Sequence, residues 1–182
     1  RGPKLMPKFE FFPLALLLAC HPYGVPRVES RKIARITVET TIAAPPQVVW
    51  DVLVDFERYD EWNAWLPELH GEAVVGERAV AKVWLDGRLR RAAHRVLEVE
   101  APLRLCWRDA GITTWFVWAM RCRTLEPIEG GTLLREELVL DGSFVGAAMR
   151  RYGADMQAGM AAEARSLREH VERRPPARPG PM

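Results

Sequence analysis

From Ala34 onward the chain alternates polar and apolar residues in short runs, and it closes on a stretch where apolar positions recur at steps of three and four. In that stretch, Phe144 to Arg173, the residues Val145, Met149, Tyr152, Met156, Met160, Leu167 and Val171 form one stripe, which predicts an amphipathic helix about 40 Å long. Ala34 to Ile42 sets Ile36, Val38, Thr40 and Ile42 against Arg35, Thr37, Glu39 and Thr41, the period-two pattern of a half-buried strand. Ala43-Ala44-Pro45-Pro46 stops it. Val48, Val49, Val52 and Leu53 then predict a short helix over Pro46–Leu53, and Asp55 is placed to cap a second short turn through Tyr59.

Turn signals follow at strand-like intervals: Gly71, Gly76, Asp86-Gly87, Ala101-Pro102, Asp109-Ala110-Gly111, Gly130-Gly131 and Asp141-Gly142. Asp86-Gly87 is the clearest, because Asp-Gly readily takes the positive φ angles of a tight hairpin. Between the turns, Leu103, Leu105 and Trp107 oppose Arg104, Cys106 and Arg108. Phe116, Trp118, Met120 and Cys122 oppose Val117, Ala119, Arg121 and Arg123, and Leu134, Glu136, Leu138 and Leu140 share a face. Consecutive hairpins predict an antiparallel meander of about six strands. The expected architecture is α+β: a curved antiparallel sheet wrapped around a long C-terminal helix, with two short helices after the first strand.

The first 32 residues differ from the rest. Arg1, Lys4 and Lys8 precede the apolar run Phe11 to Ala19, which is too short to span a membrane but suits a secretory signal. The run ends in Leu17-Leu18-Ala19-Cys20, similar to a bacterial lipobox, and a disordered leader with Met6 as a start is the equal alternative. The expected division is a leader and linker over 1–32, one ligand-binding domain over 33–173, and a disordered Pro/Arg/Gly tail over 174–182. Localisation is then cytoplasmic, or at a membrane if Cys20 is lipidated.

The chain has seven Trp, a surplus that fits either ordinary packing or a ring-lined cavity. A net charge of +2 supplies no global argument for a nucleic-acid partner, and none is expected. Arg88, Arg90, Arg91, Arg95, Arg104, Arg108, Arg121 and Arg123 are expected on a basic, solvated outer face of the sheet. Cys20, Cys106 and Cys122 show no metal-ligand spacing and the four His are scattered, so neither a metal nor a cofactor is expected; Cys106 and Cys122 read as buried free thiols.

Four segments resemble the START-like (SRPBCC) superfamily. They are Ile42-Ala43-Ala44-Pro45 with Val48-Val49-Trp50-Asp51-Val52-Leu53; Asp55-Phe56-Glu57-Arg58-Tyr59 with Glu61-Trp62-Asn63; Val96 to Pro102 with Leu105-Cys106-Trp107; and Leu125-Glu126-Pro127 with Gly130-Gly131-Thr132. The resemblance implies a helix-grip fold of the polyketide cyclase/dehydratase type. It also places Arg121 where many relatives carry His. What it implies for function is a small hydrophobic ligand, such as a lipid, quinone or polyketide-like molecule, held between sheet and C-terminal helix. An enzyme acting on a poly-β-keto or aromatic substrate is the alternative, and a membrane-surface or partner-binding module a further one.

The expected lining is Trp84, Leu105, Trp107, Phe116, Trp118, Met120, Leu138, Met149, Tyr152 and Met156. The candidates for chemistry are Glu136, Tyr152 and Arg121. Glu136 serves either as a buried general base or as a rim salt bridge to Arg121 or Arg123. His94 offers an imidazole if its parity points inward, but neither His94 nor Tyr152 has a catalytic partner that the sequence identifies. The pattern leaves the oligomeric state open.

Overall fold

The computed structural model describes residues 33–173. The expectations for 1–32, including Cys20, and for 174–182 lie outside the described residues. Within them the elements run β1 (Ala34–Ile42), α1 (Pro46–Val54), a 3₁₀ turn (Phe56–Glu61), β2 (Glu68–His70), β3 (Arg78–Leu85), β4 (Arg88–Glu100), β5 (Arg104–Asp109), a second 3₁₀ turn (Ile112–Trp115), β6 (Trp118–Ile128), β7 (Gly131–Asp141) and α2 (Val145–Arg173). All seven strands form one antiparallel sheet in the order β1-β7-β6-β5-β4-β3-β2, so the meander holds and β1 closes onto the last strand. Pro45 and Pro46 end β1 and open α1, whose Val49, Trp50, Val52 and Leu53 are buried. Asp55 sits at the start of the first 3₁₀ turn but makes no side-chain cap; it lies 3.9 Å from Arg58 instead. Among the described residues no helix is long and apolar enough to cross a membrane.

The long helix packs on β1, β3, β7 and α1. Its stripe is buried at Val145 and again at Met160, Ala164, Leu167 and Val171, but only half-buried at Met149, Tyr152 and Met156 between them. The C-terminal half therefore carries the tight core. The step of seven between Met160 and Leu167 in the apolar pattern is filled by Glu163, which is fully buried.

Two expectations about strand faces are corrected. On β6 the inward face is the one carrying Ala119, Arg121 and Arg123: both arginines are buried, at 4% and 1% exposure, and neither belongs to a basic outer face. The opposite face carries Cys122, which stands directly across from Cys106 on β5, and the two form a disulfide, not free thiols. Arg104 on the same face donates to Thr124 and to the Cys122 sulfur. The inversion has a physical cause: apolar residues are assigned inward unless inward charges are matched, and here they are.

One packing contact locks the helix to the sheet. Trp65 lies against the α2 backbone at Gly159, so closely that a methyl group there would overlap its indole. The indole N–H donates to the Trp84 carbonyl, and the Trp84 N–H donates back to the Trp65 carbonyl. Asn63 holds the turn by accepting from the Trp65 and Leu66 N–H groups. Ala normally raises helix stability over Gly by about 0.4–1 kcal/mol, but overpacking a filled contact costs about 1–3 kcal/mol. We expect Gly159→Ala to lower the melting temperature, while Gly146→Ala, whose methyl meets only Arg150 at 3.6 Å, leaves it equal or higher. Thermal denaturation of the two variants checks this; a Gly159→Ala protein as stable as the Gly146→Ala one contradicts the contact.

Candidate functional site

Where α2 is half-buried, at the level of Met156, the sheet and helix leave a cavity of about 150 Å³. β3 supplies Val83 and Leu85, β4 Ala92, β5 Trp107, β6 Ala119, β7 Leu138, and the segment before β2 Trp65 and Leu66. Three polar side chains share these apolar walls: His94, Asp109 and Arg121. A groove of about 350 Å³ between residues 43–46 and 127–131 is larger, but its walls are proline, alanine, glycine and Ile128, with no ionisable group to orient a ligand.

His94 on β4 and Asp109 on β5 are register partners, so the sheet places them side by side on one face. His94 Nδ1 lies 3.2 Å from Asp109 Oδ1, close but off the axis of a full hydrogen bond. The other Asp109 oxygen accepts from the Ala119 N–H at 2.9 Å, which fixes the carboxylate from the β6 side. The imidazole stacks on Trp107 with centroids 5.6 Å apart and planes 28° apart.

Arg121 joins the cavity to a buried ionic cluster. Its Nη2 reaches Glu136 at 2.8 Å and Glu163 at 2.9 Å, while Arg123 reaches Glu136 at 3.3 Å through Nε and Glu163 at 2.6 Å through Nη2. The register places Arg123 opposite Glu136, and α2 brings Glu163 down onto the pair. Aromatic rings complete the surroundings: Arg123 lies over Trp107 at 4.2 Å and Arg121 over Trp65 at 5.0 Å. Burial pushes the Glu163 carboxyl up, but Arg121 and Arg123 outweigh it and hold the group below the usual range. For Glu136 burial prevails, aided by the negative Glu163 and opposed by the two arginines, and its pKa is raised. Burial also raises the neighbouring Tyr59, which stays a neutral phenol donating to the Leu53 carbonyl at 2.7 Å.

The residues expected from the sequence fall in several places. Trp107, Leu138, Met156 and Arg121 are on the cavity wall, and Leu105 is in the core beside it. Trp84 is 46% exposed and Phe116 58% exposed, the latter edge-on to Phe144 in the loop before α2. Trp118 and Met120 are half-buried on the strand face opposite Arg121, and Met149 and Tyr152 are half-buried along α2; none of the four lines the cavity. Tyr152 lies beneath Arg90 and Arg151 instead. Glu136 is neither on the cavity wall nor at a rim: it is an interior ion pair. Trp65, Asp109 and Glu163 are residues of the site that pattern reading passed over. Among the described residues no three His, Cys, Asp or Glu side chains gather as a metal site.

Desolvating four charges costs several kcal/mol each, so the cluster as a whole adds little stability, whereas removing one member strands the others. Glu163→Gln is expected to cost about 3–5 kcal/mol. A fully apolar replacement (Arg121→Met, Arg123→Met, Glu136→Leu, Glu163→Leu) should cost less than that single change. Urea denaturation of both variants decides; a Glu163→Gln loss below about 1 kcal/mol, the range of an exposed pair, contradicts the interior assignment.

No curated protein sequence matches the chain. Solved structures that match share its fold. The protein MLL2253 from Mesorhizobium loti is 24% identical, covering 78% of this chain and 99% of its own, with a TM-score of 0.62. A point mutant of norcoclaurine synthase from Thalictrum flavum, solved with a transition-state analogue, is 13% identical over 79% of this chain and 96% of its own, TM-score 0.62. The di-domain ARO/CYC protein BexL from the BE-7585A biosynthetic pathway is 13% identical over 81% of this chain and 51% of its own, TM-score 0.62. The family profile described as polyketide cyclase / dehydrase and lipid transport matches residues 34–172, the whole of the helix-grip unit from β1 to the last turn of α2, and the chain belongs to that family.

Proposed function

We propose that the cavity binds a small, largely apolar molecule of about one ring. The observation that carries this reading is the composition of the cavity wall: nine apolar residues and three convergent polar ones, His94, Asp109 and Arg121. A preformed apolar space with a few oriented polar groups is the usual form of a small-molecule site. Size narrows the class. A cavity of about 150 Å³ accepts a benzene-sized guest, whereas drug-sized ligands occupy about 300–1,000 Å³. A multi-ring polyketide therefore needs the cavity to widen, and a single-ring guest does not. The family, described as polyketide cyclase / dehydrase and lipid transport, supports ligand binding or cyclase-type chemistry as the general role.

A ligand present at 100 times its Kd raises folding stability by about 2.7 kcal/mol, a shift of several degrees in Tm for a domain of this size. Toluene is expected to produce such a shift and to quench or shift tryptophan emission. Anthraquinone is expected to do neither. Leu138→Trp, which fills the space, should remove the toluene response while leaving a folded protein. Thermal scans with both compounds make the test; no response to toluene, or an equal response in Leu138→Trp, contradicts the site.

A further inference from the structure

We propose that the His94–Asp109 pair makes this cavity a proton-transfer site, in which His94 is the general base for a bound enolisable carbonyl compound and Asp109 its positioning residue. The proposal rests on the ligand-binding reading above. Its warrant is the meeting of three independent features on one cavity wall. First, His94 is 9% exposed and held by Trp107 stacking, so its ring direction is set by packing and not by solvent. Second, its Nδ1 faces Asp109 at 3.2 Å, and that carboxylate is itself anchored by the Ala119 N–H. A carboxylate at Nδ1 favours the tautomer with the proton on Nδ1, leaving the Nε2 lone pair as the base, and it stabilises the imidazolium that forms. Third, Arg121, tied through Nη2 to Glu136 and Glu163, keeps a buried Nε–H with no acceptor among the described residues. Arg121 also lines the cavity, so its positive charge stands beside the space in which an enolate oxygen would form.

The step balances without any co-reactant. The carbon–hydrogen bond next to the carbonyl breaks and its proton moves to His94 Nε2. The electron pair becomes the carbon–carbon double bond of an enolate, whose oxygen accepts from Arg121. The imidazolium then returns a proton to carbon or to oxygen, so the net change is exchange or tautomerisation. Cyclohexanone fits the cavity size and exchanges slowly unaided at neutral pH, which makes it a direct probe.

Binding is read first, from ligand-detected NMR of cyclohexanone with the full-length protein, and deuterium uptake at its α carbons is then followed in D₂O. We expect uptake at least about 100-fold faster than in protein-free buffer, the lower end of general-base effects. His94→Gln should lose most of that rate when the two proteins are compared per bound probe molecule. Compared at saturating probe, Asp109→Asn should exchange about 10-fold more slowly per bound molecule and shift the pH profile of the exchange rate, changes that a merely structural role does not produce. Bound cyclohexanone that exchanges no faster than in buffer overturns the proposal and leaves the pocket standing. So does a folded His94→Gln protein that matches the wild type. Absence of binding overturns both the pocket reading and the proposal, and the wild-type and Asp109→Asn results stand even if His94→Gln does not fold.

Discussion

Four charges in the interior, two guanidinia and two carboxylates, set the geometry that the rest of the domain accommodates. Arg121 and Arg123 come from β6, Glu136 from β7 and Glu163 from α2, so the cluster ties two central strands to the helix that crosses them. Because a buried ion pair contributes little net stability against an apolar replacement, its value lies in direction. Only one axial and rotational setting of α2 brings Glu163 onto both guanidinia, whereas an apolar stripe tolerates slippage. The fully buried Met160, Ala164 and Leu167 around it supply the burial energy, and the charges select the register.

The same cluster shapes the cavity. Arg121 closes one side with its guanidinium over Trp65, and Arg123 lies over Trp107, whose ring carries His94 in turn. Trp65 and Trp107 thus stand between the ionic cluster and the cavity, each against a guanidinium. Met156 is only half-buried in the helix stripe and is the residue of α2 that lines the cavity. The cavity's three polar side chains are sparse enough to leave the walls mainly apolar.

The fold was legible in the sequence because its signals are local. The period-two run Ala34–Ile42, the Pro45-Pro46 stop, the Asp86-Gly87 turn and the stripe from Val145 to Val171 each mark an element that the structure contains. The site was less legible because it depends on pairings between elements. Hydrophobic alternation on β6 turned Trp118 and Met120 inward, since nothing local shows that Arg121 and Arg123 meet Glu136 and Glu163. A partial signal existed: Glu136 among Leu134, Leu138 and Leu140, and Glu163 in the gap between Met160 and Leu167, are both acids on apolar faces. The Cys106–Cys122 disulfide and the His94–Asp109 pair needed cross-strand register, which neither spacing nor composition encodes. Trp65 was hidden differently, for its importance comes from Gly159, a residue with no side chain to betray a contact.

Co-crystallisation with bromobenzene, located by the anomalous signal of its bromine, tests the central claim most directly. The account predicts one principal bromine position inside the cavity, within contact of Trp65, Trp107, Leu138 and Met156, with the four-charge cluster unchanged beside it. Bromine found only on the surface or in the groove between residues 43–46 and 127–131, or a cavity refilled by shifted side chains, would contradict it.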